Sequence, residues 1–375
     1  MVEASRAGKS PEVSVLIPIY NVEKYLDSCL GSLVAQSFAD FEAICINDGS
    51  TDGSREIVQR YLDADARFRV IDKENSGYGA SMNRGLDVAR GRYIAILESD
   101  DLFEPDALTL LHDAAEKNDA DVAKANFYLY WSRPEERREL FRVVDEREAG
   151  ATLRPLDDFS VFFRKPSIWS ALYRRSFLIE NDIRFLETPG ASYQDSGFNF
   201  KVWAAARRAA FIPEAVLDYR QDNEQSSVNS PGKMFCVCDE YAEMERFARE
   251  RGGEDGAALL GILQRMRLDS YLWNYDRLAS ELRTAFAERA AADFRGALER
   301  GGLDLSLFEP AARAELDALV ADPSVFCAER DAAHGTLGSL RRYLHLGGLL
   351  LVARIVWFRL FGRSRRGIDA RGAAL

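Results

Sequence analysis

The feature that most constrains this chain is an alternation of short β-rich runs with helical patterns between Val13 and about Tyr130. "VSVLIPIY" is a continuous apolar run, as expected of a strand covered on both faces. "NVEKYLDSCLGSLVAQ" follows, with Val22, Tyr25, Leu26, Cys29, Leu30, Leu33 and Val34 at helical spacing behind Asn21, a good cap residue. "FEAICIND", "FRVIDKEN" and "RYIAILESD" repeat the strand pattern; "STDGSREIVQRYL" and "GASMNRGLDVARG" repeat the helical one. This rhythm implies right-handed crossovers and a doubly wound, mostly parallel α/β sheet with helices on both faces. Sites in such sheets lie beyond the carboxyl ends of the strands. "PIYN", "NDGSTD", "ENSGYG" and "ESDD" are therefore expected on one rim.

Between Gly150 and Tyr219 the pattern is mixed and reads as helices and short strands completing the same sheet. After about Ser230 it turns strongly helical, as in "KMFCVCDEYAEMERFARERGG" and "EPAARAELDALVAD". The expected organisation is a disordered stretch over 1–12, an α/β domain over 13–230, a helical region over 231–336 and a basic apolar tail over 337–375.

On the rim, "YIAILESDDLFEP" runs from an apolar strand into Glu98, Ser99, Asp100 and Asp101, three carboxylates in four residues with no basic residue between them. One reading is a helix start, because acidic residues are favourable at a positive dipole end. The other is a site for a divalent cation and the phosphates it carries. Asp48 in "INDGSTD" can face the rim, since Asp52 serves equally well as a cap for the next helix. Tyr20, closing the first strand, is either a stacking surface for a base or a core aromatic. The glycines of "NSGYGASMN" do not match GxGxxG, so a dinucleotide fold is disfavoured. With no P-loop and no helix-start lysine, phosphates here need another source of positive charge, and a cation at Asp100 would supply it.

Composition narrows the class. Hydrophobic residues make up 47% and charged residues 29% of 375, enough to bury a full core. A net charge of −11 argues against nucleic-acid binding, which needs a basic face. Five scattered cysteines and three isolated histidines indicate neither a disulfide framework nor a zinc site, and a reduced cytoplasmic compartment is the simplest expectation. The N-terminus lacks the apolar core of a secretion signal. No run of 18 uncharged apolar residues occurs, so no spanning helix is expected.

In order and spacing, "VSVLIPIYN", "INDGSTDGS", the stretch around "MNRGL" and "ILESDD" resemble the nucleotide-sugar half of glycosyltransferase family 2 enzymes of the GT-A fold. "TPGASYQDSGFNFKVW" and "LDYRQDNEQSSV" resemble its acceptor half, especially in members that build bacterial surface polysaccharides. The resemblance covers roughly residues 13–230. It implies that Tyr20 stacks on the base, that Asp48 accepts the imide N–H of a uracil, and that Pro18, Asn75, Gly77, Asn83 and Ser99 complete the nucleotide-binding set with Asp100. It implies that Asp100, flanked by Asp101, touches a manganese or magnesium ion bridging two phosphates. Asp195, in "YQDSGF", matches the general base that deprotonates the acceptor hydroxyl. Met82 stands where the family pattern has an arginine, and Glu98 where it has the first aspartate.

These parts imply inverting transfer of a sugar from a nucleotide-sugar donor, a UDP-sugar, to a hydroxyl of a bacterial cell-surface glycan or lipid-linked glycan. A nucleotidyltransferase and a non-catalytic nucleotide-sugar or glycan-binding module are the alternatives. The first needs a basic Gly-rich loop that "PIYNVEKY" does not supply, and the second needs no base. Trp169, Gln194, Arg220, Asn223, Ser226 and Lys233 carry groups suited to an acceptor sugar or a phosphate, and Trp203 reads as core. The tail from residue 337 onward holds eight arginines against Asp369 alone. Trp357, Phe358 and Phe361 lie among those arginines and suit a peripheral helix at the inner face of the cell membrane, with docking on the protein's own acidic surface as the alternative.

Overall fold

The computed structural model describes residues 10–190, 192–223 and 234–361. Ser226, Ser227, Lys233, Arg363, Arg365, Arg366, Asp369 and Arg371 lie outside the described residues. The chain divides into two compact units, Met1–Pro155 with Pro166–Ser226, and Leu156–Lys165 with Ser227–Leu375.

The first unit begins β1 (Val13–Ile19), α1 (Glu23–Val34), β2 (Phe41–Asn47), α2 (Ser54–Ala64), β3 (Phe68–Asp72), α3 (Tyr78–Val88) and β4 (Tyr93–Ile96). It continues through β5 (Leu102–Phe103), α4 (Ala107–Lys117), β6 (Val122–Trp131), β7 (Arg137–Phe141) and β8 (Thr152–Leu153). It ends with β9 (Ala171–Arg174), α5 (Arg175–Glu180), α6 (Gln194–Ala205) and β10 (Ala209–Arg220). The strands form one mixed sheet in the order β3-β2-β1-β4-β9-β6-β10-β5, with β7 on β6 and β8 on β10. Four of the seven pairings along that path are parallel, in keeping with the expected class.

Every residue of β1 and β2 is buried, which is why both read as unbroken apolar runs. Each large side chain there contributes roughly 1.5–3 kcal/mol by leaving water. On α1, Leu26, Cys29, Leu30 and Leu33 form the buried stripe that the spacing predicts. Its start differs from expectation. Asn21 is left-handed (φ 53°), and its Oδ1 accepts the Thr51 N–H at 2.8 Å rather than capping the helix. The free N–H groups of Val22 and Glu23 go instead to Ser54 Oγ and Asp52, which ties α1 to the next loop.

Topology gathers the rim. β1 to β4 run parallel, so Tyr20, Asp48, Lys73 and Glu98 follow their carboxyl ends on one edge. β9 is antiparallel to both β4 and β6, so β6, and β10 parallel to it, point the same way as β1 and bring Arg220 to that edge. Residues 98–101 are not a helix start. They form the turn between β4 and β5, and α4 begins only at Ala107. The reason is long-range: Leu102 and Phe103 pair with Asp218 and Leu217 of β10 before any helix can form.

The second unit contains α7 (Cys236–Arg251), α8 (Gly253–Arg277), α9 (Ser280–Glu299), α10 (Pro310–Ala321), α11 (Pro323–Ala332) and α12 (Gly335–Phe361). Glu245 sits at its polar centre, ion-paired with Arg249, Arg267 and Arg300. Counted end to end, α12 has the length and apolar composition of a bilayer span, contrary to expectation, but its backbone leaves helical geometry at Gly347 and Gly348. It is two shorter helices with a break between them.

Candidate active site

The acidic turn is built by two strands. β4 delivers Glu98, and β10 returns beside the turn so that Arg220 donates its backbone N–H to Asp101 Oδ1 and its Nε–H to the Asp100 carbonyl, each at 2.8 Å. Asn223 Nδ2 donates to Asp100 Oδ2 at 2.8 Å. The Arg220 guanidinium lies 4.7 Å from the Tyr25 ring centroid and 5.0 Å from that of Tyr130. Arg220 is therefore the strap of this turn, buried and planar against two rings.

Asp101 is fully buried, and its Oδ2 has no hydrogen-bond partner among the described residues. Burial first, then the charge of Asp100, raise its carboxyl well above the usual range, against the pull of the Arg220 N–H. Glu98 behaves alike. Burial lifts it to about 8, with Asp100 and Asp195 adding repulsion, although Tyr78 O–H donates to it at 2.6 Å and works the other way. Carboxyl groups that cannot all ionise together are the environment a divalent cation relieves. The donor set fits such an ion: an unpartnered buried carboxylate oxygen in Asp101, with Asp100 beside it. Among the described residues no cluster of three or more metal-ligating side chains occurs. A cation here would draw its remaining ligands from phosphate oxygens and water, the ordinary manner of magnesium.

The loop after β2 closes over the same rim. Asp48 is buried, and it is not as free as expected. Oδ1 receives Lys73 Nζ and the Ser76 N–H, and Oδ2 receives the Gly77 N–H at 3.0 Å. One lone-pair direction on Oδ2 remains for a ligand. Tyr20 is 51% exposed at the end of β1, which rejects the core reading and leaves its ring face open. Pro18 and Ser99 are buried, and Asn75 is exposed.

A second loop, residues 185–190, is held against α3. Asn83 Nδ2 donates to the Phe185 carbonyl and to Glu187 Oε1, while its Oδ1 accepts the Phe185 N–H at 2.9 Å. Both amide hydrogens of Asn83 are thus engaged within the protein. The nucleotide contact expected of Asn83 would have to compete with these bonds. Gln194 holds the loop from the other side, donating to Thr188 Oγ1 at 2.8 Å and accepting the Ser192 N–H at 2.5 Å. The acceptor or phosphate contact expected of Gln194 would compete with these loop bonds. Gly77 (φ 93°) has to be glycine, because a Cβ there would meet the Gly190 nitrogen at 2.8 Å. The loop so fixed leads into α6, where Asp195 lies in the first turn and its Oδ1 accepts the Ser196 N–H at 2.7 Å. The charge of Asp195 is felt at Glu98, Tyr78 and Tyr219, so the start of α6 and the acidic turn share one electrostatic environment.

Trp169 is buried, stacked on Tyr219 at 4.7 Å and edge-on to Phe127 at 4.5 Å. These contacts lie in the protein interior, so a sugar would reach Trp169 only at the 6% of its surface that is exposed. Trp203 is core, as expected. Sequence reasoning overlooked Lys73 and Tyr78, the partners of Asp48 and Glu98. The signal for Lys73 was available, since "DKENSGYG" contains one basic residue.

The family model described as Glycosyl transferase family 2 matches residues 14–202, just over half the chain. The chain belongs to this family. Uncharacterized glycosyltransferase EpsJ of Bacillus subtilis is 33% identical over 236 residues, covering 60% of this chain and 64% of EpsJ. Glycosyltransferase GlyA of Streptococcus pneumoniae is 29% identical over 220 residues, covering 56% of this chain and 30% of GlyA. The chain thus spans less than two thirds of the length of these curated relatives. Among solved structures, S. aureus TarS in complex with UDP-GlcNAc superimposes with a TM-score of 0.67 at 23% identity, over 84% of this chain and 89% of that one. At that identity the likeness establishes the fold, GT-A with a helical region after it.

Proposed function

We propose that this family 2 chain transfers a sugar from a UDP-sugar to a hydroxyl of a growing bacterial cell-surface glycan, free or lipid-linked, with inversion at the anomeric carbon. The observation that carries the proposal is the meeting of the strapped acidic turn and the first turn of α6 on one rim, with Asp195 acting electrostatically on Glu98. TarS, captured with UDP-GlcNAc, supports the choice of donor class.

In this reading Tyr20 stacks on the base, and the remaining Oδ2 lone pair of Asp48 takes the imide N–H. Asp100 and Asp101 hold a divalent cation, manganese or magnesium, which when bound offsets the charge that develops on the leaving diphosphate. Asp195 accepts the proton of the acceptor hydroxyl as that oxygen attacks. A single carboxylate acting on one face in one displacement inverts the centre, by the logic that separates inverting from retaining sugar chemistry. Arg220, Asn83 and Gln194 position these groups.

The test is incubation of the full chain with a panel of UDP-sugars, a surface-glycan acceptor and manganese, following UDP release and reading the product anomer by NMR. Metal-dependent release with an inverted product supports the reading. A retained configuration, or release that ignores chelation, contradicts it.

A further inference from the structure

The second half of α12 is built inside out for a helix in water. Its first half is held in the second unit by Arg342, whose guanidinium pairs with Glu315 of α10 and lies 5.2 Å from the Phe326 ring centroid of α11. After the break at Gly347 and Gly348, Ile355 is the one buried side chain between Leu349 and Phe361. At about 100° per residue, Leu349, Leu350, Val356, Trp357, Leu360 and Phe361 fall, with only Ala353 among them, in one outward arc of about 140°, centred opposite Ile355. Leu349 is 79% exposed, Trp357 62% and Phe361 68%. No polar residue enters the arc. Arg354 borders one edge and Arg359 lies beyond the other, both exposed. A surface helix ordinarily shows water its polar side.

We propose that this face docks on an anionic lipid surface, lying in the plane of the bilayer interface. Charge selects that occupant. The segment from residue 337 onward carries +7 in a chain of −11, so a negative membrane repels most of this protein and attracts this part. The apolar arc enters the headgroup boundary, Trp357 sits at interfacial depth, and Arg354 and Arg359 extend to lipid phosphates. The helix lies on the membrane and does not cross it. Leu349–Phe361 is about 20 Å long, against a hydrocarbon core of about 30 Å. The inference stands apart from the proposed sugar chemistry, since it uses no residue of that site.

The experiment is co-sedimentation of the full chain with phosphatidylcholine vesicles and with vesicles that also contain phosphatidylglycerol, at low and high salt. Wild type is expected to pellet with the anionic vesicles and to be released by salt. Arg354→Gln is expected to lower the partition about fivefold. The double variant Trp357→Glu, Leu360→Glu is expected to stay in the supernatant with an unchanged melting transition. Should that variant fail to fold, Leu349→Gln reads the same face. Failure of wild type to pellet, or pelleting that ignores both lipid charge and the variants, overturns the proposal. So does a dimer in lipid-free solution that Leu349→Gln abolishes, because a second copy would then cover the arc.

Discussion

Arg220 at the end of β10 donates two hydrogen bonds of 2.8 Å to consecutive residues, Asp101 through its backbone and Asp100 through its side chain. The bonds cross about half the unit in sequence and make the acidic turn depend on a strand that arrives last. Arg220→Ala should therefore weaken manganese-supported UDP binding by about tenfold, the loss typical of a hydrogen bond from a charged group. Arg220→Lys should recover little, since lysine keeps the charge but cannot reproduce the planar contacts with Tyr25 and Tyr130. Calorimetric Kd values for both variants check this, and wild-type affinity in Arg220→Ala would reject the strap.

Asn83 offers a prediction of the opposite kind. Its three bonds to Phe185 and Glu187 are structural, so Asn83→Leu should cost roughly 2–4 kcal/mol in denaturant unfolding by stranding buried backbone groups. A purely ligand-contacting residue would leave unfolding untouched. Gly79→Ala should act on the same seam, because its Cβ would stand 2.1 Å from the Leu186 carbonyl oxygen and force α3 away from the loop.

Asp195→Asn removes the proposed base while keeping size and hydrogen-bonding reach. Turnover should fall by about two to four orders of magnitude, with UDP affinity close to wild type. An equal loss in both would mean that Asp195 organises the donor site instead.

Acid stability is expected to report on the second unit. Burial disfavours the Glu245 charge, but Arg249, Arg267 and Arg300 outweigh it and hold the carboxyl at about 2. A folded value below the unfolded one means the stabilisation is full above the unfolded carboxyl range, near pH 4.5, and is lost as pH falls toward 2. The pair network is then worth about 3 kcal/mol at neutral pH. Glu245→Gln should flatten the drop in melting temperature between pH 5 and about 2.5; an unchanged slope would assign acid lability elsewhere.

How much of this was legible in the sequence follows from the range of each interaction. β1, β2 and β4 could be read because both faces of each strand are covered, and that leaves an apolar run in one short window. The rim followed from strand direction alone. The acidic turn was ambiguous locally, and the pairing of Leu102 with Asp218 resolves it, a contact no window of residues contains. The partners of Asn83 were hidden for the same reason, since they lie about a hundred residues on. Asp48 looked free because Lys73, which binds it, sits after the next strand. α12 hid its character in two glycines, which break a segment whose composition alone passes for a span.

The most direct test of the central claim is calorimetric titration of UDP into wild type and Asp100→Asn, each with and without manganese. The account predicts binding that manganese strengthens in wild type and that the variant loses, with its fold intact. UDP binding of equal strength in all four titrations would contradict it, because the acidic turn would then play no part in holding the donor.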